Sequence, residues 1–303
     1  MVPTQYMDKY LIIGANGLIG RKIGKFLEEK GEHWVGSCNK RPEAGLRQVD
    51  VTSGDQLEEF MSGTAPSVVF HCANLAGGVD LCERYSEKAS AFHYDATINI
   101  GRLCRELDSK LVYISSDYVF PDSSRPIDEN DEPGPLNEYG RLKLKSEEWV
   151  RKNMKDFLII RTTNVYGWDP DSVTPNYVMN VFNTVSSGRS FIAPSYLWGT
   201  PTYVDDLAKA ILGLVDRKES GVYHVVGPDF VNRFDWAIQI CRSFRLDHLL
   251  VQRSDSKPEN YIPRPLIARL NTAKLQKLSI VAMKGVVDGL ESMKQEMEKQ
   301  THA

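Results

Sequence analysis

The sequence has no long hydrophobic run. No apolar stretch approaches the ~18 residues needed to cross a bilayer, so no membrane partner is expected. The N-terminal MVPTQYMDKY lacks the basic-then-apolar layout of a secretion signal, and a cytoplasmic location is the expectation. Charge is nearly balanced, with 37 Lys and Arg against 40 Asp and Glu for a net −3. A nucleic-acid binder would usually be basic, so no such partner is expected. The five cysteines, Cys38, Cys72, Cys82, Cys104 and Cys241, are odd in number and form no C-x-x-C. They read as reduced thiols with no metal site. There is no internal repeat and no low-complexity linker. What remains is an ordinary globular composition, 42% hydrophobic and 25% charged over 303 residues, long enough for one large or two modest domains.

The most informative segment is Tyr10-Leu-Ile-Ile-Gly-Ala-Asn-Gly-Leu-Ile-Gly20. An apolar strand runs into Gly14, Gly17 and Gly20, and a helix-compatible stretch follows at once. Such a strand–turn–helix offers backbone N–H groups and the positive end of a helix dipole to an anion. Gly14 permits a sharp turn, Gly17 lets a pyrophosphate approach the backbone, and Gly20 lets helix and strand pack closely. Gly14, Asn16, Gly17, Leu18, Ile19 and Gly20 are therefore the candidate dinucleotide cradle. The alternative is a glycine-punctuated surface turn.

Strand-like runs recur at 10–14, 33–37, 67–72, 110–115 and 157–161, separated by amphipathic stretches at about 17–30, 54–62, 86–107 and 138–153. This alternation predicts an α/β fold of Rossmann type, a doubly wound parallel sheet covered on both faces. After about residue 165 the character changes. Gly167–Pro201, rich in Pro, Asn, Ser and aromatics, reads as loops and a substrate lid. Residues 203–216 read as a helix, 221–226 as a strand, and the last ~20 residues as a terminal helix fraying over Gln300–Ala303. Residues 1–165 are thus taken as an NAD(P)-binding domain to which 201–226 return. Residues 166–200 and 227–303 are taken as a smaller C-terminal substrate-binding lobe.

Tyr139 and Lys143 stand four apart, which places both on one helix face. Tyrosine ordinarily titrates near ~10, and a neighbouring ammonium favours the phenolate. The pair can act as a general acid toward a forming alkoxide. A chance Tyr-x-x-x-Lys is the alternative, but the pair opens a helix after the Pro- and acid-rich loop 128–136. It also follows a strand ending in Ser115-Ser116-Asp117. A hydroxyl at that strand end lies on the rim where α/β folds bind ligands, so Ser116 can hydrogen-bond the oxygen that Tyr139 protonates.

These motifs resemble the extended short-chain dehydrogenases/reductases, and within them the dTDP-4-dehydrorhamnose reductases. The resemblance rests on the glycine turn, Ile114-Ser-Ser-Asp-Tyr-Val-Phe120, Pro133-x-Pro-Leu-Asn-Glu-Tyr139-Gly-Arg-Leu-Lys143-Leu and Ile160-Arg-Thr-Thr-Asn-Val-Tyr-Gly167. Tyr203-Val-Asp-Asp-Leu-Ala208 and Arg264-Pro-Leu-Ile-Ala-Arg-Leu-Asn271 continue it in family order. It implies Ser116, Tyr139 and Lys143 as catalytic residues, Lys143 also holding the nicotinamide ribose. It implies reduction of the C4 ketone of a nucleotide-linked 4-keto-6-deoxysugar. Two positions depart from the family. His93 stands where an asparagine is usual and reads as an ordinary helix residue. Asn271 replaces the usual aspartate, which puts helix capping or a substrate contact there in doubt.

The second strand is followed by Asn39, Lys40 and Arg41, with no acid before Glu43. NAD-specific folds usually carry an acid there, whereas Lys40 and Arg41 suit a 2′-phosphate. NADPH is the expected cofactor, NADH the alternative; a solvated basic turn is the other reading of this segment. By resemblance, Asp50 and Val51 flank the adenine, and His71, Cys72, Ala73 and Asn74 line the ribose and nicotinamide side.

On the substrate side, Ser116, Asp117 and Tyr118 follow the strand end. Arg161 and Arg264 are each either diphosphate ligands or salt-bridge partners of the acidic loop 128–132. Trp168 is the aromatic taken to contact substrate, among Tyr166, Tyr196 and Trp198. Asp205 and Asp206 read as the start of a helix, not a metal pair. Two other functions stay open: an epimerase of the same superfamily, and a non-catalytic NADP-binding regulatory subunit, since that of methionine adenosyltransferase is similar to the same family. A 4,6-dehydratase is disfavoured because Tyr118, not a second acid, follows Asp117. Self-association into a homodimer is left open.

Overall fold

The computed structural model describes residues 10–75, 77–170, 172 and 174–301. Its strands are β1 (Tyr10–Ile13), β2 (Trp34–Cys38), β3 (Arg47–Gln48), β4 (Val68–His71), β5 (Lys110–Ser116) and β6 (Phe157–Thr162). The shorter β7 (Val165–Tyr166), β8 (Phe191–Pro194), β9 (Trp198–Gly199) and β10 (Thr202–Tyr203) precede β11 (Gly221–His224), β12 (Val231–Asn232) and β13 (Val251–Ser254). The helices are α1 (Leu18–Glu29), α2 (Gly54–Thr64), α3 (Gly78–Arg84), α4 (Ser86–Ser90), α5 (Ala96–Glu106), α6 (Glu138–Asn153) and α7 (Tyr177–Ser186). After them come α8 (Val204–Asp216), α9 (Arg233–Phe244), α10 (Ala273–Gln276) and α11 (Val286–Thr301). No helix among the described residues is long and apolar enough to cross a membrane.

A seven-stranded sheet has the order β11-β6-β5-β4-β1-β2-β3. Pairing is parallel from β3 through β2, β1 and β4 to β5. The chain winds from β1 to one side, then crosses to β4 on the other, so the switch point lies at β1. This is the doubly wound Rossmann-type order, and its ligand crevice is expected at the carboxyl ends of the strands there. Register aligns those ends, because Ile13 pairs with His71 and His71 with Tyr113. β1, β4 and β5 read apolar in sequence and are buried throughout, as strands covered on both faces must be.

The chain forms two compact units. One holds the described residues up to Ser115 with Glu138–Ile160 and Leu214–Val222; the other holds Ser116–Asn137, Arg161–Gly213 and the residues from Tyr223 onward. Ser116–Asn137 thus groups with the second unit. The first unit's core joins Leu11, Ile13, Val69, Leu111 and Ile159 to Leu57, Phe60, Ile100 and Val150 of the helices. The second packs Tyr166, Val178, Trp236, Ile240, Phe244 and Leu290 together. Each such side chain contributes about 1.5–3 kcal/mol on burial.

Two expectations need correction. The helix expected over 86–107 is broken. Tyr85 leaves helical geometry between α3 and α4, and Ala91–Asp95 form a π turn before α5. The cause is local: the His93 carbonyl accepts hydroxyl bonds from Thr97 (2.7 Å) and Ser146 (2.9 Å), which widens the turn. The segment expected to be loops and lid contains α7. Asn176 caps it by accepting from the Met179 N–H, and Val178, Met179, Val181 and Val185 give it a buried stripe. The terminal helix reaches Thr301; the rest of the expected fraying, at residues 302 and 303, lies outside the described residues.

Candidate active site

The cradle is built at the end of β1. Gly14 adopts φ +81°, and a Cβ there would come within 2.8 Å of the Ala73 backbone. A Cβ on Gly20 would lie 2.4 Å from the Gly14 carbonyl oxygen, so only glycine lets α1 start this close to the strand. α1 opens at Gly17 with no side-chain cap and no acid in its first turn. That arrangement leaves the helix N-terminus suited to an anion and fits a dinucleotide pyrophosphate. Asn16 donates to the Arg41 carbonyl (3.2 Å), tying the turn to the segment after β2. Lys40 and Arg41 are exposed there, while Glu43 is engaged by Arg21 at 2.6 Å. Asp50 accepts from the Thr52 N–H and hydroxyl, and Val51 is buried. The Cys72 N–H donates to the Ile13 carbonyl (2.9 Å), which sets Cys72 and Ala73 beside the glycine turn.

α6 carries the proton-transfer candidates. Glu138 lies in its first turn and Arg151 and Lys152 in its last, matching the helix dipole. Its buried stripe includes Lys143 and Glu147, which are charged. Lys143 is 4% exposed; its ammonium donates to the Ile114 carbonyl of β5 (3.0 Å) and sits 5.7 Å from the Tyr139 ring and 4.9 Å from that of Tyr113. Burial lowers it to about 8, and Glu147 works in the opposite direction. Glu147 itself accepts from the Ser115 hydroxyl at 2.5 Å. The structure thus brings Tyr139 and Lys143 onto one face and extends that face to Glu147.

Sequence reasoning missed Glu147, although the signal existed: positions 139, 143 and 147 continue the same four-residue spacing. The burial of two imidazoles was not legible in the sequence. His93 packs edge-on against the Tyr139 ring (5.3 Å, 84°). Burial drives it down to about 2, while burial and the Lys143 charge bring His71 to about 3, so both rings are neutral. His71 Nε2 meets the Thr97 hydroxyl at 3.1 Å. Burial pushes the Cys72 thiol up to about 12, so it is no nucleophile at neutral pH.

The second unit holds a polar cluster. The Ser116 hydroxyl donates to Asp117 (2.9 Å) and accepts from the Tyr118 N–H. Burial raises the Asp117 carboxyl to about 6, against hydrogen bonds from Thr163 and Ser116 and the Arg233 charge. Burial also raises the Tyr118 hydroxyl, with Arg264 hydrogen-bonded to it and pulling the other way. Arg264 also donates to the Ile262 carbonyl (3.2 Å) and lies over Tyr261.

Arg161 meets the acidic loop 128–132, as one of its two readings had it, through a backbone carbonyl. It is 0% exposed, donates to the Glu129 carbonyl (3.1 Å), meets His224 Nε2 at 3.4 Å and stacks on Phe120 at 4.7 Å. A side chain so enclosed braces the acidic loop and has no free face for a diphosphate. Trp168 packs edge-on against Phe182 at the margin of the core, and Tyr166 lies within it. Asn271 keeps a turn bond by accepting from the Ala273 N–H (2.9 Å). Asp205 and Asp206 do open α8, Asp206 accepting from the Lys284 N–H (2.7 Å) and ammonium (3.0 Å). Among the described residues, no three His, Cys, Asp or Glu gather as a metal site would require.

The sheet order, the glycine cradle at its switch point and the Tyr-x-x-x-Lys helix define an extended short-chain dehydrogenase/reductase. Residues 8–299 match the family model described as the RmlD substrate binding domain, and the chain belongs to that family. It is 29% identical over 89% of its length to methionine adenosyltransferase 2 subunit beta of Xenopus tropicalis, covering 82% of that protein. It is 32% identical over 80% of its length to a probable low-salt glycan biosynthesis reductase of Haloferax volcanii, again covering 82%. Among solved structures, dTDP-4-dehydrorhamnose reductase of Bacillus anthracis in complex with NADP aligns with a TM-score of 0.85 at 25% identity. That alignment covers 95% of this chain and 99% of the other.

Proposed function

We propose that the protein is an NADPH-dependent reductase acting on the C4 ketone of a nucleotide-linked 4-keto-6-deoxysugar. The observation that carries this reading is the Tyr139–Lys143 pair, with Lys143 fixed on the Ile114 carbonyl and its ammonium beside the phenol ring. Gly14, Asn16, Gly17, Leu18, Ile19 and Gly20 would hold the pyrophosphate, Asn39, Lys40 and Arg41 the 2′-phosphate side, and Asp50, Val51, Cys72, Ala73 and Asn74 the remaining nucleoside faces. Bound there, NADPH supplies a hydride to the ketone carbon. Tyr139 gives its hydroxyl proton to the ketone oxygen, so that an alcohol forms and a phenolate remains. Lys143 stabilises that phenolate, and solvent returns the proton. Ser116 orients the carbonyl through its hydroxyl. General-acid help of this kind typically contributes ~10²–10⁴ in rate.

A second reading is a non-catalytic cofactor-binding subunit, favoured by the 29% identity to methionine adenosyltransferase 2 subunit beta. One assay separates the two. Purified protein is mixed with NADPH or NADH and dTDP-4-keto-6-deoxyglucose, with and without a 3,5-epimerase, and nicotinamide absorbance is followed. Substrate-dependent loss of the NADPH signal is expected. Saturable NADPH binding without oxidation, together with a stoichiometric protein partner, favours the second reading.

A further inference from the structure

Arg233, the first residue of α9, is held by everything around it. One guanidinium nitrogen donates to the Asn164 side-chain oxygen, and the plane lies over Tyr177 (4.3 Å) and Trp236 (5.2 Å). The Tyr177 hydroxyl in turn donates to the Arg233 carbonyl (2.7 Å). Asn164 takes the left-handed conformation, φ +50°, a strained geometry that non-glycine residues keep only where surroundings impose it. The guanidinium is therefore preorganised, yet its Nη1 is buried with no hydrogen-bond partner among the described residues. An orphaned buried donor of this kind is unfavourable unless a ligand completes it. Asp117, Tyr118 and Arg264 of the same unit act on Arg233 electrostatically.

We infer that Arg233 is a specificity-determining residue whose Nη1 donates to a hydroxyl of the ligand's sugar. The inference rests on the nucleotide-sugar reading above. A hydroxyl both donates and accepts, so it can bond Arg233 on one side and the Asp117 carboxylate on the other. A phosphate cannot donate, and above pH 6 it would face an increasingly ionised Asp117.

The test is calorimetric binding of dTDP-glucose and of dTDP to the full chain, as wild type, Arg233→Met and Arg233→Lys. The Met variant should lose ~10-fold or more in affinity for dTDP-glucose, with dTDP unchanged and Lys restoring part of the loss. Singly deoxygenated dTDP-glucose analogues give the same answer without a variant, since one of them should bind wild type as weakly as the full sugar binds Arg233→Met. Three outcomes overturn the inference: dTDP-glucose binding equal in wild type and Met variant, an equal loss for dTDP, or no binding of dTDP-glucose to wild type. Arg233-dependent binding with no NADPH-linked turnover of any ketosugar would instead sink the proposed reaction and leave this contact standing.

Discussion

The two units differ in the cations they enclose. The first buries bases and forces them toward neutrality: His71 to about 3, His93 to about 2 and Lys143 to about 8. The second also lowers a buried imidazole, His224, to about 3, but its distinctive cations are guanidiniums, the buried Arg161 and the half-buried Arg233, which hold their charge. Lys143, at about 8, can exchange a proton near neutral pH, which the two imidazoles cannot; a guanidinium with fixed geometry recognises acceptor position. The proposed function uses that contrast, with proton handling on the α6 face and recognition at Arg233.

The sharpest way to break that division is Tyr139→Phe. If the phenol is the proton donor, kcat falls by ~10²–10⁴ while the affinity for NADPH, held by other residues, stays nearly constant. Stopped-flow turnover and fluorescence titration of the cofactor separate the two. Full activity in the variant would remove proton handling from α6.

The neutral histidines make a prediction of stability. The unfolded chain takes up protons near pH 6.5 that folded His71 and His93 refuse. Their contribution is full above 6.5 and is lost as pH falls from 6.5 toward 3, about 2 kcal/mol per histidine by pH 5. Asp117 acts with the opposite sign. Its folded value of about 6 favours the folded state at low pH, and that advantage fades as pH rises from the unfolded value through 6. Urea unfolding at pH 7.5 and 5 should show the loss, and His93→Phe should remove one histidine's share of it, leaving those of His71 and of His224, which burial also lowers to about 3. An unchanged midpoint would mean that these rings do not stay neutral when folded.

The same contrast explains how much could be read from the sequence. Each parallel strand of the first unit is one apolar run, because it is covered on both faces, and β1, β4, β5 and β6 matched their runs within a residue or two. The two-residue β3 carried no such run. In the second unit, strand pairs such as β10 with β7 and β12 with β9 are two residues long, too short for any periodicity. The glycine cradle and the Tyr139–Lys143 spacing were legible because local geometry demands those residue types. Arg233 was not, because its setting depends on Asn164 and Tyr177, distant in sequence. Arg161 stayed ambiguous for the same reason: whether an arginine at a strand end faces a ligand or braces a loop depends on its burial.

A smaller effect concerns cofactor choice. Lys40 and Arg41 are exposed after β2, and the acid that follows is already engaged by Arg21. Replacing both by Ala, Lys40→Ala with Arg41→Ala, should weaken NADPH roughly 10-fold and leave NADH untouched, since only the 2′-phosphate is lost as a partner. Parallel titrations with the two cofactors measure the ratio. Equal losses for both would mean that the pair supports the turn and does not read the phosphate.

The smallest expected effect tests how the first unit sets its proton affinity. Glu147 holds Lys143 up against the lowering effect of burial. Glu147→Gln keeps an oxygen to accept the Ser115 hydroxyl and removes only the charge. Lys143 then drops further below 8, and the alkaline limb of kcat/KM moves to lower pH by less than about one unit. A merely structural Glu147 would change stability and leave that limb in place. The shift would show that the positions at 139, 143 and 147 act as one titrating face, with Glu147 tuning a lysine it need not touch.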